Sequence, residues 1–266
     1  MLPELPPFRP ALLAFDLDGT LIPDQDRHLT EETSSLLAEL CALNIKLAVI
    51  TGRDGLSEKM RADGHLHAEA ANNGGTIRVG DQVIYAEQLK PEDLELLLRH
   101  GLTGAEVVIY GEAGYAVPAG SDAPADWMQK HGVTLLTDEG KQTAYKVRFH
   151  HPEAAAYANH LRATQPQLVV TGGIEPYLNF VSVTPRQATK SIALKRIAAA
   201  LNAPLAYTVA FGDSDNDADL LEAAGFAVQI GTHPHLTPHA DVQLSEQAEL
   251  PGYLRRLIAH LRAIPS

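Results

Sequence analysis

The sequence predicts an α/β fold: a doubly wound, mainly parallel, Rossmann-like sheet interrupted by an inserted α+β cap domain. Short apolar runs alternate with helical patterns at both ends of the chain, and this pattern changes in the middle third. The runs "ALLAF" (11–15) and "IKLAVI" (45–50) are apolar over almost their whole length, which is typical of parallel strands covered on both faces.

The first of these runs is followed by a helical pattern from Thr30 to Leu43, with leucines on one face, and then by the second run. A similar alternation resumes after "TPRQ", with the helix "ATKSIALKRIAAAL", the strands "LAYTVAF" and "FAVQI", and a closing helix from about Gln247 to Leu261. These two segments together predict one discontinuous catalytic core.

The middle of the chain has a different pattern. A hairpin is expected around Gly80-Asp81, and predicted helices such as "PEDLELLLRHG" then mix with strands such as "AYKVRF" and "YLNFVSV". We therefore expect a core of residues 1–85 and 183–266 and a cap of residues 86–182.

Composition limits the possible functions. The 266 residues carry a formal net charge of −12, which disfavours nucleic acid and anionic membrane surfaces as partners and favours a small-molecule substrate. Cys41 is the only cysteine, so an intramolecular disulfide and a multi-cysteine metal site are excluded. With no apolar segment long enough for a membrane span, a cytoplasmic monomer or small homo-oligomer is expected.

Polar residues follow three of the predicted core strands. Asp16 and Asp18 follow "ALLAF", Thr51-Gly52-Arg53 follows "IKLAVI", and Gly212-Asp213 follows "LAYTVAF". In an open α/β sheet the carboxyl ends of parallel strands form the crevice in which ligands bind. These residues are therefore expected to converge at one edge of the sheet.

Four carboxylates in one crevice repel one another. Two of them about 4 Å apart repel by about 4 kcal/mol at an effective dielectric constant of 20. The candidates are Asp16, Asp18, Asp213 and Asp217. Oxygen ligands without clustered cysteine or histidine favour a hard cation, and a site with room for water and a phosphate oxygen suits Mg²⁺ better than Ca²⁺.

A carboxylate beside Mg²⁺ can attack phosphorus and form an aspartyl-phosphate. The Thr51 hydroxyl and a lysine could then hold the phosphoryl oxygens, and Lys190, at the start of a predicted helix, is the candidate. Cations are mildly disfavoured at a helix start, so this position calls for an anionic partner. Spacing alone leaves open whether Asp16 or Asp18 is the nucleophile.

The motifs "DLDGT", "TGR", a lysine opening a helix, and "GDSDND" occur in this order along the chain. They resemble the four motifs of the haloacid dehalogenase (HAD) superfamily of phosphohydrolases. The large insert between the second and third motifs resembles the C2-capped, Cof-like subfamily IIB.

This resemblance implies that Asp16 is the nucleophile and Asp18 the general acid and base, with the Asp18 backbone carbonyl on Mg²⁺. It also implies that Thr51 and Lys190 bind the phosphoryl group and that Asp213 is a direct metal ligand. Asn216 and Asp217 would complete the phosphate and metal shells.

Other residues are assigned on weaker grounds. Arg53 could contact the substrate or form a helix-start ion pair, and Asn73, in a segment that resembles the entry to the cap hairpin, could contact the substrate as well. His233, His235 and His239 have the density of a metal cluster, but the intervening prolines favour a solvated loop. For Glu175 and Tyr177, near the end of the cap, ordinary loop contacts are the default against a role in specificity.

The leading hypothesis is a Mg²⁺-dependent phosphomonoesterase with an Asp16 phosphoenzyme and a small organic phosphate, first of all a sugar phosphate, as substrate. A sugar phosphomutase shares the first chemical step. From a different class, a phospho-accepting signalling or binding module also combines aspartates, a threonine and a lysine on an α/β sheet.

Overall fold

The computed structural model describes residues 3–23, 28–112, 114–118, 128–129, 133–135, 143–175 and 177–263. By its internal contacts the chain divides into two units, residues 1–85 with 189–266 and residues 86–188. The first unit is built from two separate stretches of chain, and the second is continuous in sequence.

An eight-stranded sheet forms the centre of the first unit, in the order β14-β13-β12-β1-β2-β3-β4-β5. The six strands from β14 to β3 run parallel, and β4 is antiparallel to β3. The strands are β1 (Leu12–Phe15), β2 (Lys46–Ile50), β3 (Ala68–Ala71), β4 (Thr76–Val79), β5 (Gln82–Ala86), β12 (Thr208–Gly212), β13 (Phe226–Ile230) and β14 (Val242–Leu244).

Helices cover both faces of this sheet. They are α1 (Glu31–Ala42), α2 (Glu58–Asp63), α5 (Lys190–Ala200), α6 (Ala218–Ala223) and α7 (Leu250–Ala263). Side chains of α1, α2 and α7 pack in one apolar cluster with one face of the strands, and side chains of α5 and α6 pack in a second cluster with the other face. The predicted doubly wound α/β class is therefore confirmed.

The central strands are buried as their sequence predicts. All four residues of β1 are inaccessible to solvent, and Phe15 stacks on Phe211 of β12 with ring centroids 4.5 Å apart. The side chain of Thr30 caps α1 by accepting a hydrogen bond from the Thr33 backbone N–H, which fixes the start of the helix one residue after Thr30.

The second unit contains a six-stranded sheet in the order β10-β11-β9-β6-β7-β8. Its pairs are antiparallel except β7 with β8. The elements are β6 (Glu106–Gly111), β7 (Gly114–Val117), β8 (Val133–Leu135), β9 (Ala144–His150), β10 (Leu168–Gly172) and β11 (Phe180–Pro185), with helices α3 (Pro91–Leu98) and α4 (Ala154–Thr164). Apolar side chains of both helices pack against this sheet.

The second boundary between the units differs from the expected one. The sequence placed it between residues 182 and 183, whereas the contacts place it between 188 and 189. The reason is that β11 continues to Pro185, which pairs with Leu168 of β10. Phe180–Pro185 therefore remains with the second sheet until the chain returns to α5.

Candidate active site

The candidate site lies at the carboxyl ends of three neighbouring strands of the first unit. Phe15, the last residue of β1, pairs with Val49 of β2 on one side and with Phe211 of β12 on the other. Asp16, Thr51 and Asp213 each follow one of these strands directly. The parallel register therefore brings the predicted strand-end residues to the same edge of the sheet, because parallel strands end at one side.

Lys190 is the charged centre of this edge. It is the first residue of α5 and is only 1% exposed. Its Nζ donates to Oδ1 of Asp16 at 2.5 Å and to Oδ1 of Asp217 at 2.6 Å. The buried ammonium is thus hydrogen-bonded to two carboxylates, which are the anionic partners that a cation at this position calls for.

The start of α5 is stabilised without the lysine. The Thr189 side chain caps the helix by accepting from the Ile192 backbone N–H, and Oδ2 of Asp219 accepts from the Ser191 backbone N–H at 3.0 Å. An acidic group at this end is favourable for the helix dipole, and it offsets the unfavourable position of a cation there.

The pKa values of Asp16 and Lys190 are both raised by their surroundings. Burial raises the pKa of Asp16 well above its usual value, and repulsion from Asp217 and Asp213 raises it further, although Lys190 opposes both effects. Burial alone would lower the pKa of Lys190, but the charges of Asp16 and Asp217 outweigh it and raise that pKa. Lys190 is therefore held as a charged ammonium between two carboxylates.

Three of these carboxylates form a candidate metal site. Asp16, Asp213 and Asp217 each offer an oxygen within 4.8 Å of the others, and no other such group of three or more was found among the described residues. With one ammonium against three carboxylates, the cluster retains an excess of negative charge. An all-oxygen donor set of this charge fits a hard divalent cation.

Hydrogen bonds from groups other than Lys190 orient Asp213 and Asp217. Oδ1 of Asp213 accepts from the Thr20 hydroxyl at 2.6 Å, while Oδ2 of Asp217 accepts from the backbone N–H groups of Asp213 and Ser214, each at 3.1 Å. Ser214 and Asp217 form a reciprocal capping box. Ser214 was not predicted as a site residue, although the Ser-x-x-Asp spacing of 214–217 is a sequence signal for this arrangement.

Asp18 is in a different environment. The Arg53 guanidinium donates from Nε to Oδ2 of Asp18 at 2.8 Å and from its second terminal nitrogen to Oδ1. Both side chains are about one third exposed, so this pair is accessible to solvent. The Asp18 carboxylate is not among the three clustered carboxylates, and a metal contact from this residue would have to use its backbone carbonyl.

The remaining predicted residues meet in a second group. The Thr51 hydroxyl accepts from the Arg53 backbone N–H at 3.1 Å, which shapes the loop after β2. Nδ2 of Asn216 donates to Oδ1 of Asn73 at 3.2 Å, and Gly52 lies directly against this amide pair. The structure thus brings together residues that are far apart in the chain.

The structure gives the local surroundings of the loop histidines and of two candidates in the second unit. His235 is exposed, and the carbonyl of His233 accepts from Nε2 of Gln229 at 2.9 Å. Glu175 and Tyr177 are exposed residues of the second unit.

No helix in the described part of the chain is long and apolar enough to cross a membrane.

A family model matches most of the chain. The family model for haloacid dehalogenase-like hydrolases matches residues 13–250 of the chain, which includes all four motifs. The chain belongs to this family. The predicted family and the prediction that the chain is an enzyme are thereby confirmed.

Curated relatives resemble the chain over most of its length. An HMP-PP phosphatase from Cronobacter sakazakii is 28% identical over 261 residues, covering 93% of this chain and 92% of the relative. An HMP-PP phosphatase from Klebsiella pneumoniae is 29% identical over 231 residues, covering 80% of this chain and 81% of the relative.

Solved structures share the fold at lower identity. The subclass IIB sugar phosphatase BT4131 superposes with a TM-score of 0.77 at 20% identity, covering 95% of this chain and 99% of that chain. The phosphatase BT1666 from Bacteroides thetaiotaomicron also gives 0.77 at 20% identity, covering 96% of each chain. These similarities support a HAD fold for the entire chain.

Proposed function

We propose that this hydrolase is a Mg²⁺-dependent phosphomonoesterase that acts on a small organic phosphate through an aspartyl-phosphate on Asp16. The observation that carries the proposal is the buried Asp16 carboxylate at the end of β1, paired with Lys190 and adjacent to two further carboxylates. The names of the relatives, HMP-PP phosphatase and sugar phosphatase, support phosphate-ester chemistry.

In the first half of the proposed reaction, a carboxylate oxygen of Asp16 attacks phosphorus. The bond from phosphorus to the ester oxygen breaks, and Asp18 donates a proton to that oxygen, so that the alcohol leaves neutral. Lys190 and the loop that contains Thr51 stabilise the negative charge of the phosphoryl oxygens. Protonation by a positioned acid contributes roughly 10²- to 10⁴-fold in such steps.

In the second half, water attacks the phosphorus of the aspartyl-phosphate while Asp18, now a carboxylate, takes up a proton from the water. The bond from phosphorus to the Asp16 oxygen breaks, which releases inorganic phosphate and restores the starting carboxylate. One residue thus serves as acid and then as base, and this requires that Asp18 be reachable by both leaving group and water. Its partial exposure is compatible with that role.

Asp16, Asp213 and Asp217 would hold the Mg²⁺ ion, together with the Asp18 backbone carbonyl. When bound, the ion supplies positive charge that reduces repulsion between an anionic nucleophile and an anionic phosphate. The charge excess of the carboxylate cluster and the raised pKa of Asp16 both support such a cation. Lys190 by itself leaves that excess incompletely neutralised.

Replacement of the nucleophile tests the proposal. Asp16→Asn should lower Mg²⁺-dependent phosphate release by roughly a thousandfold or more, because the amide cannot form the acyl phosphate. Asp81→Asn, at an exposed position in the hairpin turn, is the matched control and should retain activity. Retained Mg²⁺-dependent turnover in Asp16→Asn would refute the phosphoenzyme route.

The substrate class is tested by phosphate release from a panel of sugar phosphates, nucleotides and cofactor phosphates, with and without Mg²⁺. We expect free phosphate from small organic phosphates, with sugar phosphates among the best. An isomerised sugar phosphate without phosphate release would indicate a mutase instead, and a stable phosphoprotein without turnover would indicate a signalling module. We expect the enzyme to act in the cytoplasm.

A further inference from the structure

Asn73 occupies an unusual place beside the candidate site. Its backbone is left-handed, with φ of +56°, a conformation that asparagine adopts more readily than most residues. The residue is 4% exposed, and its backbone N–H donates to the Thr51 carbonyl at 3.0 Å. The turn that contains Asn73 is therefore attached to the loop that follows β2.

The Asn73 side chain is engaged with another carboxamide. Its Oδ1 accepts from Nδ2 of Asn216, and Oδ1 of Asn216 accepts from the Ser214 hydroxyl at 2.8 Å. The two ends of the Asn216 carboxamide are thus fixed by different neighbours. An amide NH₂ has two hydrogens and only one is needed for Asn73, so the second can donate to a ligand.

Gly52 packs directly on this pair. A Cβ at Gly52 would lie 3.1 Å from Oδ1 of Asn73 and 3.6 Å from Nδ2 of Asn216. The glycine of the second motif thereby leaves the space in which the hydrogen bond between the two asparagines forms. Three loops, after β2, after β3 and after β12, meet at this point.

We propose that Asn73 is a positioning residue that fixes the Asn216 carboxamide for binding a phosphoryl oxygen. This rests on the proposed function and on the phosphate-binding role that the family resemblance implies for Asn216, and it is an alternative to the direct substrate contact considered for Asn73. A buried side chain whose carbonyl already accepts from Asn216 is better suited to orient that residue than to reach a substrate.

A double-mutant cycle tests the coupling. Asn73→Gly removes the side chain, keeps the left-handed backbone, and should raise the inhibition constant of inorganic phosphate about 3- to 10-fold, as expected for one lost hydrogen bond. Asn216→Ala should raise it at least as much, and adding Asn73→Gly to Asn216→Ala should change it by less than about twofold. If the two effects multiply, Asn73 acts independently of Asn216, and the proposal is wrong.

The glycine contact gives a second disruption from another loop. Gly52→Ala should weaken phosphate binding in the same way, because its methyl group displaces the amide pair, and this effect should also disappear in the Asn216→Ala background. Gly55→Ala is the matched control, since a Cβ there meets nothing within 4 Å. An equal loss in both alanine variants would overturn the role given to the amide pair.

A further control distinguishes a loss of phosphate binding from a change in folding. Asn44, an exposed residue, has a left-handed backbone with φ of +62°, so Asn44→Gly makes the same chemical change away from these loops. At temperatures well below its melting transition, Asn73→Gly should bind phosphate more weakly, whereas Asn44→Gly should bind phosphate like the wild type. If Asn44→Gly weakens binding equally, the proposal fails.

Phosphate binding and phosphate release are measured separately, so the positioning role of Asn73 and the proposed function can fail independently. Calorimetric binding of inorganic phosphate in the presence of Mg²⁺ reports on the Asn73 and Asn216 pair without turnover. Unchanged phosphate affinity in Asn73→Gly, with an active wild-type enzyme, would reject the positioning role alone. Absence of Asp16-dependent phosphate release would reject the proposed function, whatever the calorimetry shows.

Discussion

At the scale of single residues, the pair of Asp18 and Arg53 contrasts with the buried carboxylates beside it. Asp16 and Asp217 share the Lys190 ammonium out of contact with water, whereas the side chains of Asp18 and Arg53 are 34% and 33% exposed. Arg53 contacts both oxygens of Asp18 through a planar fork, which fixes the orientation of the carboxylate. We infer that Arg53 orients the carboxyl group of Asp18, the proposed general acid.

Substrates that differ in leaving group test this inference. Arg53→Gln should reduce kcat on an alkyl phosphate on the order of tenfold more than on 4-nitrophenyl phosphate, because nitrophenolate leaves without a proton from Asp18. Arg53→Lys keeps the charge but not the fork, so it should show the same selectivity. Equal losses on both substrates would mean that Arg53 contributes through substrate binding or stability instead.

The sequence predicted which residues meet here better than how they pair. Motif order and strand ends were sufficient to select Asp16, Asp213, Asp217 and Lys190, because the ends of parallel strands converge. The partner of Asp18 could not be chosen, since a helix-start ion pair and a substrate contact were both open for Arg53. Only coordinates show a guanidinium turned back onto a carboxylate 35 positions earlier in the chain.

At the scale of elements, the short turn Asn72–Gly74 determines how closely the loop after β3 approaches the start of α5. Gly74 has φ of +98°, and a Cβ there would lie 2.4 Å from the Thr189 carbonyl oxygen. Because that oxygen belongs to the backbone at the helix start, it cannot move without moving Lys190. The turn and Lys190, which we propose to bind the phosphoryl group, are therefore mechanically linked.

Gly74→Ala should destabilise the protein by more than the roughly 1–3 kcal/mol of a strained backbone conformation, since the clash adds to the strain. It should also reduce kcat by displacing Lys190. Gly80→Ala is the control, because Gly80 has φ of +55° but open space around it, and thus reports strain alone. Thermal unfolding and kinetics check both expectations, and equal effects of the two changes would contradict the clash.

Element boundaries were predictable where local chemistry determines them. Thr30 caps α1, which is expected for a threonine that directly precedes an apolar stretch with helical periodicity. In contrast, β3, with the sequence "AEAA", was not predicted as a strand, because alanine and glutamate have low strand propensity. Its pairing with β2 and the ion pair of its Glu69 with Arg61 are tertiary contacts that override this preference.

At the scale of the whole molecule, charge links stability to the proposed metal. The chain has a net charge of −12, and three clustered carboxylates contribute to the repulsion. A cation that binds only the folded state stabilises it by RT ln(1 + [L]/Kd), or about 2.7 kcal/mol at 100 times Kd. Mg²⁺ binding should therefore be visible in the stability of the protein as well as in its activity.

Mg²⁺ should raise the melting temperature of the wild type, and a chelator should reverse the effect. Asp213→Asn should remove most of this increase, whereas Asp81→Asn, which changes the net charge equally at an exposed site, should retain it. Differential scanning calorimetry over a Mg²⁺ series makes the comparison. An equal increase in both variants would show that Mg²⁺ acts by general screening and not at the carboxylate cluster.

The overall architecture was predictable because each half of the first unit has its own strand and helix pattern. The exact return point was not: "YLNFVSV" was expected in the cap, but its strand extends to Pro185 through pairing with β10, which the sequence does not reveal. Antiparallel pairing depends on partners distant in sequence, which composition does not reveal.

The division of the first unit into two stretches has a consequence for biosynthesis. Leu12 of β1 pairs with Thr208 of β12, so the central strand waits for its partner until the ribosome has made nearly two hundred further residues. At roughly 5–20 residues per second this delay is about 10–40 s. The edge of β1 that pairs with β12 therefore stays open during that interval even though β2 is made early, and we expect translation speed across residues 86–188 to affect the yield of folded protein.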